Sequence, residues 1–233
     1  MNWENLREVV DPSLFWEYRG FLLKGLAFNF YVFGIAAVLA IGLGFVAALM
    51  RLSRYRAFRA AGTFHAELFR NAPEYVLLVW VHYVLPLLLT ALLTMKVNFP
   101  PFVSAFLALG FAYSGYFTET FRGGILAIPK GHVEAGRALG MPAMLIMRRI
   151  ILPQAIRQML PEGMNQLVSL FKATTLVSLI AVPDLMYQVT IVTQQEMRPM
   201  PLYTSAAVIY FLLILVLSSL VNAFSERWRT AGK

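Results

Sequence analysis

The chain consists largely of long apolar stretches separated by short polar segments. Four stretches of 21 to 27 residues contain no Asp, Glu, Lys or Arg: 25–50, 75–95, 97–118 and 199–225. A fifth, 163–183, is interrupted only by Lys172. A helix rises about 1.5 Å per residue and a hydrocarbon core is about 30 Å thick, so each stretch is long enough to span a membrane. The pattern predicts an all-α integral membrane protein with about five transmembrane helices, at roughly 21–50, 74–95, 100–122, 162–182 and 203–224.

Composition supports a membrane protein over a soluble one. Charged residues make up 14% of the chain and hydrophobic residues 59%, whereas an average soluble domain has about 25% charged residues. There is no cysteine, which excludes a disulfide framework and a thiolate metal site in this chain.

The distribution of cations predicts the orientation in the membrane. Five spans place the termini on opposite sides, and one side then carries 14 Lys and Arg residues against 5 on the other. The positive-inside rule makes the richer side cytoplasmic. We therefore expect an external N-terminal segment 1–20, a transmembrane domain 21–225 and a cytoplasmic tail 226–233. The net charge of +8 is a topology signal, and we expect no nucleic-acid partner.

The N-terminal segment does not have the pattern of a signal peptide. Its first 18 residues contain four acids, and they lack the apolar central region of a signal peptide. We expect it to lie on the membrane surface through Trp3, Phe15 and Trp16, because aromatic side chains favour the membrane interface.

The cytoplasmic segment 123–161 between the third and fourth spans has an unusual pattern. Proline and glycine break helices, and here they predict two short helices, 132–139 and 143–151. Glu134 would then lie in the first turn of one helix, and Arg148 and Arg149 near the end of the other, as the helix dipole favours. The six residues that break the pattern are Pro129, Gly131, Gly140, Pro142, Pro153 and Pro161. The segment is either a docking element for a partner protein or an ordinary loop.

One motif in this segment resembles a family signature. Glu134, Ala135 and Gly136, then Gly140, then Ile150, Leu152 and Pro153 have the spacing of E-A-A-x3-G-x9-I-x-L-P. That signature belongs to the permease subunits of ABC importers. The one departure is Gly136, where the family usually has alanine.

Three further stretches resemble the polar amino-acid branch of the same family. Residues 67–73 read E-L-F-R-N-A-P, 119–125 read E-T-F-R-G-G-I, and 171–178 read F-K-A-T-T-L-V-S, with Ala173 in place of a usual aspartate. The resemblance extends over about residues 20–225. It implies that the coupling loop 123–161 forms coupling helices that sit in a cleft of an ABC ATPase. It also implies a second permease subunit, identical or different, two ATPases, an external solute-binding protein and a location in a bacterial inner membrane.

Motifs for enzymatic chemistry are absent from the sequence. It contains neither a G-x-x-x-x-G-K-[ST] phosphate loop nor a G-x-S-x-G nucleophile elbow. The three histidines His65, His82 and His132 lack metal-ligand spacing. We expect no catalytic residue, metal or cofactor in this chain, and ATP with Mg²⁺ to be bound by the partner ATPase.

Three charged residues lie inside or beside the predicted spans. Glu119, Arg122 and Lys172 are candidates for the substrate path, because ionisable groups in a membrane are costly and usually face a cavity or one another. The alternative is structural: a Glu119–Lys172 ion pair or a Lys172 side chain that reaches a backbone carbonyl, and Arg122 as an anchor at the membrane boundary.

The resemblance implies a function and a mechanism. We expect the membrane-spanning subunit of an ATP-driven importer of a polar amino acid, working by alternating access between two sides. Glutamate or aspartate is the first candidate substrate, because Ala173 removes an acid beside Lys172 and residues 77–86 resemble permeases for acidic amino acids. Glutamine, histidine, arginine and cystine remain open. The alternatives are an ATP-independent channel or ion-coupled carrier, and a membrane scaffold without transport.

Overall fold

The computed structural model describes Val9 and residues 11–230, apart from the side chains of 226–230. All the regular structure in the described part is helical. The eight helices of this part are α1 Ser13–Arg51, α2 Arg56–Asn71, α3 Glu74–Leu93, α4 Pro101–Leu126, α5 Lys130–Ala138, α6 Ala143–Ile180, α7 Leu185–Glu196 and α8 Pro199–Thr230. The predicted role of Trp3 lies outside what the structure describes, and of the predicted tail 226–233 the structure describes only the backbone of residues 226–230, as the end of α8.

The structure confirms the all-helical membrane fold, but not the number of spans. Within the described residues, α1, α3 and α8 are long and apolar enough to cross a membrane. A fourth candidate is the pair α6 and α7, which meet at 44°. The predicted third span forms the helix α4, whose second half carries hydroxyl side chains such as Ser114 and Thr118 and is less apolar. Five spans therefore remain a prediction.

Several predicted boundaries were wrong. Helix α1 begins at Ser13, ahead of the expected residue 21. The first short helix runs over Lys130–Ala138, so Glu134 lies beyond its first turn. The second predicted short helix does not end at residue 151: α6 continues through Pro153 and Pro161, so Arg148 and Arg149 do not lie at a helix end.

A π-helical turn explains why α6 passes Pro153. A proline lacks the N–H group and its ring clashes with the carbonyl four residues earlier, which normally ends a helix. Here Met147–Ile151 forms a π-turn, and the N–H of Leu152 bonds to the carbonyl of Met147, five residues back. The wider turn leaves room for the ring. The same arrangement occurs in α3, where the π-turn Trp80–Val84 precedes Pro86.

The chain divides into two compact units. The first comprises Met1–Ala37, Pro73–Gly110 and Ser169–Leu217. Its apolar core contains buried residues of α1, α7 and α8, among them Leu22, Leu185 and Leu202.

A buried polar cluster also belongs to the first unit. The Asn29 side chain of α1 donates to the hydroxyl of Thr174 at 3.1 Å and accepts hydrogen bonds from the Leu185 N–H at 3.1 Å and the Tyr210 hydroxyl at 3.2 Å. Asp184 caps α7 by accepting from the N–H of Tyr187 at 2.9 Å. The cluster joins four helices around the break between α6 and α7.

The second unit comprises Val38–Ala72, Phe111–Val168 and Ser218–Lys233. Its helices approach closely through small residues, as is common in membrane proteins. A Cβ atom on Gly62 of α2 would lie 2.8 Å from the carbonyl oxygen of Ala47 in α1. One on Gly115 of α4 would lie 2.6 Å from the backbone nitrogen of Arg70. Helix α2, within the segment that was expected to be a loop, is therefore packed against both neighbours.

Candidate functional site

Glu119 is the centre of an ion-pair cluster in the second unit. Its Oε2 accepts hydrogen bonds from Arg122 Nε at 2.9 Å and Nη2 at 2.7 Å. Its Oε1 forms an ion pair with Arg51, the last residue of α1, and lies 4.0 Å from Nη1 of Arg70. Three arginines therefore surround one carboxylate. Arg122 lies one helical turn from Glu119, so their juxtaposition follows from the sequence spacing. Arg51 was not expected.

Lys172 occupies a different environment from Glu119. It lies on α6 in the first unit, its side chain is exposed, and it has no ion pair among the described residues. Its neighbour Ala173 is buried. The partners of Glu119 in the structure are thus arginines of its own unit.

An open cleft lies beside the Glu119 cluster. Its volume is about 430 Å³, within the usual range for sites that bind small molecules. The polar side chains of its lining are Arg70, Tyr116, Glu119, Thr120, Gln158, Glu162 and Gln166.

The polar residues that α6 contributes to the cleft were not predicted from the sequence. Gln158, Glu162 and Gln166 are spaced by four residues, which places them on one face of the helix. That spacing is visible in the sequence and could have identified them. Beside the cleft, Gly124 lets α4 approach α6 closely, since a Cβ on Gly124 would lie 2.9 Å from Cβ of Met159.

Glu162 differs from Glu119 in its partners. Its Oε1 accepts one hydrogen bond, from Nε2 of Gln166 at 2.7 Å. Its side chain is exposed to the cleft and has no cationic partner in the part of the chain that the structure describes. The cleft therefore presents one carboxylate whose charge is available to a ligand.

The predicted coupling residues lie together where α5 meets α6. Glu134 and Ala135 are exposed, whereas Gly136 is buried. A Cβ on Gly136 would lie 2.9 Å from Cδ1 of Ile150 and 3.1 Å from Cγ1 of Ile146. The departure from the family's usual alanine therefore has a packing reason: α5 sits directly against the isoleucines of α6.

The turn between α5 and α6 is shaped by Gly140. Its φ of +72° is a left-handed conformation, which glycine adopts without steric cost. Leu139 and Met144 on either side are 81% and 77% exposed. Leu152 is half-buried and Pro153 is exposed. The motif and its turn therefore present an apolar surface beside the exposed carboxylate of Glu134.

The three histidines make separate contacts. His65 Nε2 lies 2.8 Å from Ser114 Oγ, His82 Nδ1 lies 2.9 Å from Ser104 Oγ, and His132 Nδ1 lies 2.9 Å from Gln154 Oε1. Burial lowers the pKa of the His65 imidazole, which favours its neutral form. No group of three metal-ligating side chains occurs in the described part.

Comparison with known proteins gives consistent matches over nearly the whole chain. A family model described as "Binding-protein-dependent transport system inner membrane component" matches residues 22–230. The arginine transport system permease protein ArtQ of Bacillus subtilis (strain 168) is 32% identical over 213 residues, which cover 90% of this chain and 93% of ArtQ. The histidine/lysine/arginine/ornithine transport system permease protein HisQ of Escherichia coli (strain K12) is 32% identical, with 92% and 96% covered.

A solved structure agrees with this match. The crystal structure of an amino acid ABC transporter with histidines contains a chain that superposes with a TM-score of 0.84 and 30% sequence identity. The match covers 94% of this chain and 99% of that one.

Proposed function

Because this chain belongs to the family of inner membrane components of binding-protein-dependent transport systems, we propose that its cleft forms part of the path of an imported amino acid. The chain is an ABC importer permease of the polar amino-acid branch. The ATPase of such an importer is a separate subunit, and a binding protein supplies the substrate. The cleft would hold that substrate after its release from the binding protein.

The substrate that the cleft suits best is an amino acid with a cationic side chain. The observation that carries this proposal is Glu162, a carboxylate in the cleft with no cationic partner among the described residues. A guanidinium or ammonium group could donate to it, because charge-assisted hydrogen bonds are about twice as strong as neutral ones. Arg70 and the amide groups of Gln158 and Gln166 could receive the substrate carboxylate. Relatives named for arginine and for histidine, lysine, arginine and ornithine transport are consistent with this choice.

Glutamate and aspartate become the second candidates. One of their two supports was Lys172, which does not line the cleft; the other, the resemblance of residues 77–86 to permeases for acidic amino acids, still favours them. Glu119 is not the carboxylate that we assign to a cationic substrate, because its two oxygens already form ion pairs with Arg51 and Arg122.

The test is uptake of labelled arginine and labelled glutamate by the complete importer in proteoliposomes. Glu162→Gln removes the charge and should lower arginine uptake about tenfold or more, because a hydrogen bond to a charged group contributes about 1.5–3 kcal/mol. Glu162→Asp should retain most uptake, and Glu17→Gln, an exposed acid of α1, should change nothing. A native preference for glutamate would overturn the choice of substrate. Uptake without ATP would favour the channel or ion-coupled carrier.

Coupling is proposed to run through α5 and the start of α6. Their exposed surface, which includes Glu134, Leu139 and Met144, would dock in the partner ATPase and move with it as ATP is bound. A second permease subunit, identical or different, would complete the path. Copurification of an ATPase separates this proposal from a scaffold that has no transport role.

The orientation follows the distribution of charge. We place segment 1–20 outside the cell and the tail 226–233 in the cytoplasm, with the coupling loop 123–161 on the cytoplasmic side. The excess of 14 cations against 5 supports this assignment.

A further inference from the structure

The segment that follows α1 concentrates positive charge. Residues 51–59 contain four arginines, and no Asp or Glu occurs from residue 18 to residue 66. Arg51 forms an ion pair with Glu119. The other three, Arg54, Arg56 and Arg59, are exposed and form no ion pair with any acid that the structure describes.

Local contacts hold these arginines at the surface. The guanidinium carbon of Arg54 lies 4.9 Å from the centre of the Tyr55 ring, and its Nη2 donates to the Tyr55 hydroxyl at 2.7 Å. Arg59 Nη1 donates to the backbone carbonyls of Ser53 and Arg54, both at 3.1 Å. The turn is therefore ordered by its own arginines, which keep further N–H donors for an external ligand.

Helix α2 adds an exposed apolar flank to this basic turn. Its buried side, at Gly62 and Ala66, packs against its neighbours. Phe58, Phe64 and Leu68 are 53%, 69% and 47% exposed. An exposed apolar flank beside a basic cluster is typical of helices that lie in a membrane interface. Tyr55, which is 54% exposed, has the amphipathic side chain favoured at headgroup level.

We propose that the basic turn of residues 54–59, together with the apolar flank of α2, binds anionic phospholipids at the membrane surface. The turn follows the end of α1, a candidate span, so it lies at the boundary of the hydrocarbon. Guanidinium groups match the geometry of phosphate oxygens, and Phe58 and Phe64 are placed to contact the acyl chains. Charge complementarity identifies the partner: a juxtamembrane cluster of arginines without acids is attracted to a negative lipid surface.

The test uses the complete importer in bilayers with spin-labelled phosphatidylglycerol or phosphatidylcholine, and measures the fraction of each lipid that the protein immobilises. The native protein should prefer phosphatidylglycerol, and salt should weaken that preference because exposed charges are screened. The triple variant Arg54→Gln/Arg56→Gln/Arg59→Gln should lower the preference by roughly fivefold or more, the factor that one arginine contributes near an anionic surface. The lysine triple at the same positions should retain most of it.

A second triple variant controls for net charge. Arg19→Gln/Lys24→Gln/Lys96→Gln removes three exposed cations elsewhere and should leave the preference unchanged. Equal immobilisation of both lipids by the native protein would overturn the proposal. The proposal would also be overturned if the control variant or the lysine triple lost as much preference for phosphatidylglycerol as the glutamine triple at positions 54, 56 and 59. If the glutamine triple kept its lipid preference and instead lost the copurifying ATPase, the surface would bind a protein, and the lipid assignment would be wrong.

Discussion

The side-chain amide of Asn29 donates a hydrogen bond to the Asp184 carboxylate over 3.2 Å, and both side chains are fully buried. Asn29 lies in the middle of α1, whereas Asp184 lies at the break between α6 and α7. One amide thus ties the bent pair of helices to the first helix. Buried polar groups are costly when unpaired, so this contact matters more for what its loss would expose than for its own strength.

Asn29→Leu should therefore destabilise the protein. The change removes the hydrogen bond from Asn29 to Oδ2 of Asp184 and leaves the N–H of Leu185 without its side-chain acceptor, and an unsatisfied buried polar group costs about 1–3 kcal/mol. Thermal unfolding of the purified protein in detergent measures the effect. Asn98→Leu, at an exposed position outside the helices, is the matched control and should unfold like the native protein. An unchanged Tm for Asn29→Leu would mean that water or local rearrangement satisfies these groups.

Glu119→Gln should lower the free energy of unfolding more than Glu67→Gln does. The side chains of Arg51 and Glu119 are only 15% and 22% exposed, and removing one partner of a largely buried pair costs about 3–5 kcal/mol. Glu67 and Arg70 are 47% and 35% exposed, and such surface pairs contribute about 0–1 kcal/mol. The measurement is the free energy of unfolding of each variant. A double-mutant cycle with Arg51 then isolates the energy of the pair between Arg51 and Glu119. Equal losses would show that the arginines around Glu119 are well solvated.

Gly140→Val should impair coupling. The left-handed φ of +72° at this position strains any residue with a Cβ, and most strongly a β-branched one. The turn between α5 and α6 would shift, and ATPase activity stimulated by the loaded binding protein should fall severalfold. Gly131→Val, where nothing lies within 4 Å of the added Cβ, should retain stimulation. Normal stimulation in a fully assembled Gly140→Val complex would contradict the coupling role.

Single cysteines test the orientation without removing any native thiol, because the chain has none. A cysteine at Asn98, between α3 and α4, should react with a membrane-impermeant maleimide from outside. One at Gly131, in α5, should react only after the inner membrane is opened. Both positions are exposed. Labelling of both from the same side would remove the span that we place between them, and the opposite pattern, with Gly131 labelled from outside and Asn98 only after opening, would reverse the orientation.

The sequence predicted the long apolar helices, because the length of an apolar stretch determines them, whereas the coupling role of the motif stays a prediction. It did not predict α2 or α7, since each lies in a segment that the hydropathy pattern treats as a connection. Both had local signals: an amphipathic repeat in α2, and Pro183 followed by Asp184 as the N-cap of α7.

The candidate site was less predictable than the fold. A pair of Glu119 with Lys172 was one alternative from the sequence, but the partner Arg51 lies 68 positions earlier (119 − 51) and only the folded chain brings the two together. That Glu162 has no cationic partner among the described side chains also depends on the folded positions of the arginines. Gly136 is the reverse case: the departure from the motif is visible in the sequence, but its cause, the approach of Ile150, is not.

The π-turn before Pro153 has a consequence for the direction in which α6 displays its side chains. A π-turn inserts the equivalent of one extra residue into an α-helix, and each residue of an α-helix turns the chain by about 100°. If the same residues wound as a regular α-helix, Ile146 would be rotated by about that angle relative to Gln158 and Glu162, whereas deleting one residue from Met147–Ile151 would remove the π-turn and keep the two faces in phase. The π-turn therefore sets the rotation about the helix axis between the part of α6 that packs on Gly136 and the part that lines the cleft.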